Sequence, residues 1–127
     1  MKYLFLIILL SNLLNAQDPK HLKLEKKLQA ANTQTDMNTY SYELAQYLNK
    51  KLLKLETQLK KKLDEAGLKL FVQSSQSWYK YRLMQARFIG HLYKGGSMHP
   101  LIYNTTLASM TERRILQLEQ ILEEYNR

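Results

Sequence analysis

The sequence predicts an all-α fold, an antiparallel three-helix bundle with a short extra N-terminal helix, and three observations lead there. Only 4 glycines and 2 prolines occur in 127 residues, so few positions break a helix. Leucine and lysine dominate while valine and threonine are sparse, and straight side chains keep more rotamer freedom in a helix than β-branched ones. Three long stretches repeat apolar residues at steps of three and four, the period of an amphipathic helix. The connections between them are short, which makes successive helices antiparallel neighbours. A chain of this length holds one core comfortably and two poorly.

Residues 1–16, MKYLFLIILLSNLLNA, have the form of a secretory signal. Lys2 supplies the positive end, Tyr3 to Leu10 the apolar run and Ala16 the small residue at the cut. The run is too short to span a bilayer comfortably, and no cysteine stands beside the cut to carry a lipid. The expectation is a signal peptide over 1–16 and a single helical domain over 17–127, periplasmic or secreted.

From Gln17 to Ala31 a short basic helix is expected, with Lys20, Lys23, Lys26 and Lys27 around Leu24 and Leu28. A polar connector follows to Thr35, and Asp36 can accept from the free amides of a helix start. Between Met37 and Leu63, Tyr40, Leu44, Tyr47, Leu48, Leu52, Leu55, Leu59 and Leu63 mark a long helix. Its outer face carries Lys50, Lys51, Lys54, Lys60, Lys61 and Lys62 against one acid, Glu56. This is a candidate anion-binding face, although lysines on the wet side of a helix commonly only solvate it, and no interleaved aromatics are present to stack on bases.

Asp64, Glu65 and Gly67 interrupt the pattern and place a turn or kink at 64–67. The next helix is expected from Leu68 to Lys94, with Phe71, Ser75, Trp78, Arg82, Gln85 or Ala86, Ile89 and Leu92 on one stripe, closed by Gly95 and Gly96. Pro100 opens the last helix, whose stripe runs through Tyr103, Leu107, Met110, Arg114, Leu118, Ile121 and Tyr125. Glu112, Glu119, Glu123 and Glu124 on this helix offer the lysine-rich helix an acidic neighbour.

Composition narrows the function. With no cysteine, the domain holds together by packing alone, and thiolate zinc sites, thiol nucleophiles and redox couples are excluded. The net charge of +8 favours acidic surfaces as well as solubility. For an exported chain those surfaces are anionic lipid or cell-wall polymer, and no nucleic acid is expected. No nucleophile with a base and no carboxylate pair with room for a substrate can be specified, so no catalytic residue and no cofactor are assigned, and an enzyme is not expected. His91 and His99 flank the Gly95-Gly96-Ser97 loop without a nearby acid, a poor metal site, and His21 is remote in sequence. The loop can turn its amides toward an anion, but alone this is weak evidence and a plain helix-ending turn is the better account.

Arg82 and Arg114 lie on apolar stripes, where an unpaired guanidinium is costly. Glu43, Glu112 and Asp36 are the candidate partners. One reading is ion pairs that fix helix register; the other is convergence of Arg82, Arg114, Tyr81 and Gln76 on an anionic ligand.

Three segments, Gln76-Ser77-Trp78-Tyr79-Lys80-Tyr81-Arg82, Gly95-Gly96-Ser97-Met98 and Leu107-Ala108-Ser109-Met110-Thr111-Glu112-Arg113-Arg114-Ile115, together resemble the LprI-type lysozyme inhibitors. Thr35-Asp36-Met37-Asn38 resembles the family's opening segment, and the likeness runs to about Leu122. The residues that carry it are Gln76, Trp78, Tyr81, Arg82, Gly95, Gly96, Ser97, Thr111 and Arg114. Family members commonly have cysteines where this chain has Thr39, Ala86 and Thr106, and an acid where it has Leu83. The resemblance implies a periplasmic or secreted helical protein whose partner is lysozyme or another envelope protein. Charge works against a strongly basic lysozyme, leaving Glu112 to Glu124 as the acidic patch for docking. The alternative is an envelope-associated module that holds anionic lipid or cell-wall polymer on its lysine face. A cell-wall hydrolase would require a cleft with converging carboxylates.

Overall fold

The computed structural model describes residues 18–127, and the signal-peptide expectation for 1–16 lies outside them. The described residues form four α-helices and no strand: α1 Pro19–Gln29, α2 Gln34–Lys60, α3 Glu65–His91 and α4 His99–Tyr125. None of the four is long and apolar enough to cross a membrane.

The helix starts follow from local capping. Asp18 accepts from the amide of His21 at 2.9 Å, and Pro19 costs nothing at a position whose amide has no intrahelical partner. At α2 the cap is Thr33 rather than Asp36: Thr33 Oγ1 accepts from the Asp36 amide at 3.0 Å, which leaves the Asp36 carboxylate in the first turn, where the helix dipole favours it. At α3 the cap is Asp64, whose carboxylate accepts from the Gly67 amide at 2.8 Å. The turn therefore falls at 61–64, and Gly67 lies inside the helix. α3 stops at His91, before the glycine pair. Gly95, with φ of +78°, makes the left-handed step in the following loop that a side chain would resist.

Ion pairs and hydrogen bonds give the helix directions. Asp18 meets Lys51 while Lys27 meets Glu43, so numbers fall along α2 as they rise along α1. Glu56 meets Tyr79 and Asn49 meets Arg82, so α3 opposes α2. Arg82 meets Thr111 and stands beside Trp78, over which Arg114 lies, so α3 also opposes α4.

The core lies mainly between α2 and α4, where Leu44, Ala45, Leu48, Leu52, Leu55 and Leu59 pack with Ala108, Ile115 and Leu118. Each fully buried leucine contributes about 1.5–3 kcal/mol relative to exposure. Leu24 and Leu28 of α1 cover one flank, and Phe71, Trp78 and Tyr79 of α3 pack against the core while half-buried. The residues that α3 itself buries are small: Ser75, Ala86 and Gly90. A Cβ on Gly90 would come within 3.2 Å of the His99 ring, so the glycine permits the close return of α4. Both long stripes fall short of their expected ends, because Leu92 at one and Ile121 and Tyr125 at the other are exposed.

Candidate functional site

Where α3 meets α2 and α4, one polar cluster interrupts the apolar packing. Trp78, Tyr79 and Arg82 occupy neighbouring positions on the inner side of α3, within a turn of each other. Trp78 and Tyr79 meet edge to face at 5.1 Å, and the Arg82 guanidinium lies 5.1 Å from one ring and 4.9 Å from the other. Arg114, from α4, approaches Trp78 at 5.6 Å, so two cations stand within reach of the indole and gain from its electron-rich ring.

The arginines do not meet the acids expected for them. Glu43 pairs with Lys27 at 3.5 Å, Glu112 faces His21 at 3.9 Å, and Asp36 belongs to the start of α2. Arg82 instead donates to Asn49 Oδ1 at 3.0 Å and Thr111 Oγ1 at 2.9 Å, and Arg114 donates to Gln117 Oε1 at 2.8 Å. The nearby negative charge is Glu56, 5% exposed, which accepts from the Tyr79 hydroxyl at 3.1 Å. Burial, then the Glu56 charge and hydrogen bond, push the Tyr79 phenol up to about 12. Burial pulls both guanidinium pKa values down, while Glu56 is among the charges that pull them up; both side chains stay cationic. The buried acid acts through space on both arginines, and each of the three helices supplies one of these groups.

Glu56 was legible only in part. It stands four residues after Leu52 and three before Leu59, on the leucine ladder, but a charged residue among lysines is normally assigned to the wet face. Its inward turn changes the lysine face as well. Lys50, Lys54, Lys60, Lys61 and Lys62 remain exposed, while Lys51 bends toward Asp18 at 3.1 Å. The exposed part of this face thus has no acid of its own segment.

Beside the cluster an open cleft of about 700 Å³ separates α3 from α4. Trp78, Tyr81 and Ile89 form one wall, and Met110, Arg113 and Arg114 part of the other. Of the four residues considered for anion binding, Arg114 and Tyr81 reach this cleft, whereas Arg82 turns to Asn49 and Thr111 and Gln76 is exposed outside the lining. No carboxylate lines it, so it lacks the pair that hydrolysis of a glycoside requires. The cleft suits an apolar or anionic side chain placed between aromatic and guanidinium surfaces. Along the adjacent outer face of α3, Tyr81, Met84 and Phe88 are more than half exposed.

At Gly95-Gly96-Ser97 the Gly96 amide donates to Tyr93 O at 3.1 Å and the Ser97 carbonyl accepts from Asn38 at 3.1 Å, as a helix-ending turn tied to α2 would. The acids of α4 are dispersed. Glu112 and Glu119 are half-buried, with burial raising the Glu119 pKa against the pull of Lys51. Glu123 and Glu124 stand beside Arg127. The acidic docking patch therefore reduces to the C-terminal end.

Two further groups carry more structure than their sequence positions suggest. Asp18, besides capping α1, accepts from Tyr47 Oη at 2.6 Å and from Lys51 Nζ at 3.1 Å. Burial alone would raise its pKa, but these bonds and the His21 amide outweigh it and hold the carboxyl at about 2. The second group is His21, completely buried between Glu25 and Glu112.

Among known proteins, the family model described as lysozyme inhibitor LprI matches residues 25–118, from within α1 to the second half of α4. An uncharacterised protein of Rhizobium meliloti (strain 1021) is 30% identical over 57 residues, which cover 45% of this chain and 41% of that relative. The chain thus matches less than half the length of this relative. No solved structure matches.

Proposed function

We propose, from the premise that the chain belongs to the lysozyme inhibitor LprI family, that it is an exported, non-enzymatic protein that inhibits a lysozyme by binding it. The observation that carries this reading is the family match, which includes the whole of α2 and α3 and the α4 wall of the cleft. In this reading residues 1–16 are a cleaved signal, and 17–127 form one domain arranged as an antiparallel three-helix bundle with α1 laid against it.

The outer face of α3 is the docking surface. Tyr81, Phe88 and Met84 present aromatic and thioether groups of the kind that anchor protein interfaces, and the exposed Arg113 of the cleft wall donates to a carboxylate of the partner. Because the acids of α4 are mostly turned inward or paired, attraction to a basic lysozyme does not carry the encounter. Apolar contact does, and the overall charge opposes it.

Turbidity decrease of a bacterial suspension under lysozyme, with and without purified protein, tests the proposal. Inhibition is expected, and it should strengthen from low to moderate salt as repulsion between two basic proteins is screened. No inhibition at a large molar excess under both conditions rejects it.

A second reading is supported by the inward turn of Glu56, which leaves Lys50, Lys54, Lys60, Lys61 and Lys62 as an exposed cationic face. That face binds anionic lipid or cell-wall polymer. Sedimentation with anionic vesicles should fall with salt and with lysine-to-glutamine changes there; unchanged sedimentation rejects it.

A further inference from the structure

We propose that His21, Glu25 and Glu112 bind one divalent transition-metal ion of the zinc class, joining α1 to α4. The three residues lie outside the cleft and the exposed α3 face, so the site is independent of lysozyme binding. His21 Nε2 stands 3.2 Å from Glu25 Oε1 and 3.9 Å from Glu112 Oε1, and the three ligand atoms all lie within 4.8 Å of one another. Zinc bonds to nitrogen and carboxylate oxygen are about 2.0–2.2 Å, which in a tetrahedron separates ligand atoms by roughly 3.3–3.6 Å. The observed separations fall on both sides of that span, and small rotations of the two glutamates bring all three atoms onto one centre.

The scaffold holds the ligands. His21 and Glu25 are one helical turn apart and share a face of α1, and the first turn is fixed by the bond from the His21 amide to Asp18. Glu112 follows Thr111, which is held by Arg82 at 2.9 Å. The imidazole is 0% exposed, whereas each carboxylate keeps 28% of its side-chain surface open, which gives an ion a path in.

Charge and ligand type choose the ion. The two carboxylates bring two negative charges to one imidazole, and among the described residues His21 is the group they pair with. A divalent cation neutralises that pair. A nitrogen ligand favours zinc, nickel or copper over magnesium and calcium, which prefer oxygen sets. Three protein ligands leave a fourth position for water. Metal ligands must be deprotonated, so metal binding weakens as the solution is acidified.

Isothermal titration of the metal-free full chain with zinc chloride at pH 7.5 tests this, together with visible absorption of the cobalt(II) form. One zinc per chain, cobalt bands of a tetrahedral site and no competition from excess magnesium are expected. Glu112→Gln and Glu25→Gln should each weaken zinc binding at least about tenfold. Because His21 is buried, its replacement risks the fold, so these two glutamate variants, with helical circular dichroism unchanged, decide the matter. Absence of saturable zinc binding, or equal affinity in wild type and both variants, overturns the proposal. Neither result depends on whether the protein inhibits lysozyme.

Discussion

The α2–α4 seam and the inner face of α3 solve the same packing problem with opposite materials. Between α2 and α4 the buried side chains are leucine, isoleucine and alanine, which pack densely and cost nothing to desolvate. Against the same core α3 places Ser75, Ala86 and Gly90 at its buried positions and fills the remainder with half-buried Trp78, Tyr79 and Arg82. The first seam supplies the larger share of the buried apolar surface. The second supplies less apolar burial but admits few registers, because Arg82, Glu56 and Tyr79 must meet their partners. Its helix also leaves Tyr81, Met84 and Phe88 to the solvent, so the less deeply packed helix is the one with surface to offer a partner.

Truncation at the first seam should cost the most. Leu52 is 0% exposed in the middle of α2, and Leu52→Ala should destabilise the domain by about 3–4 kcal/mol, read as a lower midpoint in urea at an unchanged slope. A loss comparable to that of a surface substitution would show that the two seams do not divide the work in this way.

The second seam should respond to charge rather than volume. Glu56→Leu keeps apolar bulk but leaves Arg82 and Arg114 without their buried counter-charge, at a cost of about 2–3 kcal/mol. Adding Arg82→Met to that variant should recover part of the loss, with a coupling energy of about 0.5–3 kcal/mol in the double-mutant cycle. Strict additivity would mean that the two groups do not sense each other.

This division also explains what could be read from the chain alone. The α2 ladder of Leu44, Leu48, Leu52, Leu55 and Leu59 follows from period and composition, and the structure places it in the core. The starts of α2 and α3 moved by three residues because Thr33 and Asp64 compete with neighbours of similar capping strength. The chemistry of the second seam was not legible, since Asn49, Glu56 and Thr111 meet Arg82 or Tyr79 only across helices. Periodicity assigns a face to a residue but no partner. The pairing of His21 with Glu112 is hidden for the same reason, 91 positions separating the two in the chain.

Asp18 joins α1 to α2 at the edge of the first seam, and Asp18→Asn should cost about 1 kcal/mol, since the side chain is still 30% exposed and screening reduces its ion pair. Its sign with pH is fixed by a folded pKa of about 2 against an ordinary value of 3.8. The depressed value means that the carboxylate's contribution is complete above pH 3.8 and is lost as pH falls through about 2. Wild type and Asp18→Asn should therefore converge in stability toward pH 2 when unfolding is followed by helical circular dichroism. A gap as large at the acid end as at neutral pH would place the effect in the asparagine cap itself.

The smallest effect on stability should coincide with the largest on binding. Phe88 is 67% exposed on α3, so most of its ring is already in water and Phe88→Ser removes little buried surface. The change in folding free energy should stay within about 0.5 kcal/mol. If the outer face of α3 is what a lysozyme touches, the same ring becomes buried on binding, and its loss should weaken inhibition by about tenfold or more. Leu52→Ala reverses the pattern, lowering the urea midpoint while leaving inhibition unchanged at temperatures where the protein stays folded. Measuring both variants in both assays separates a surface kept for a partner from apolar groups that α3 merely failed to bury. Equal inhibition by Phe88→Ser and wild type would move the docking surface off this helix and leave the lysine face of α2 as the exposed surface to test next.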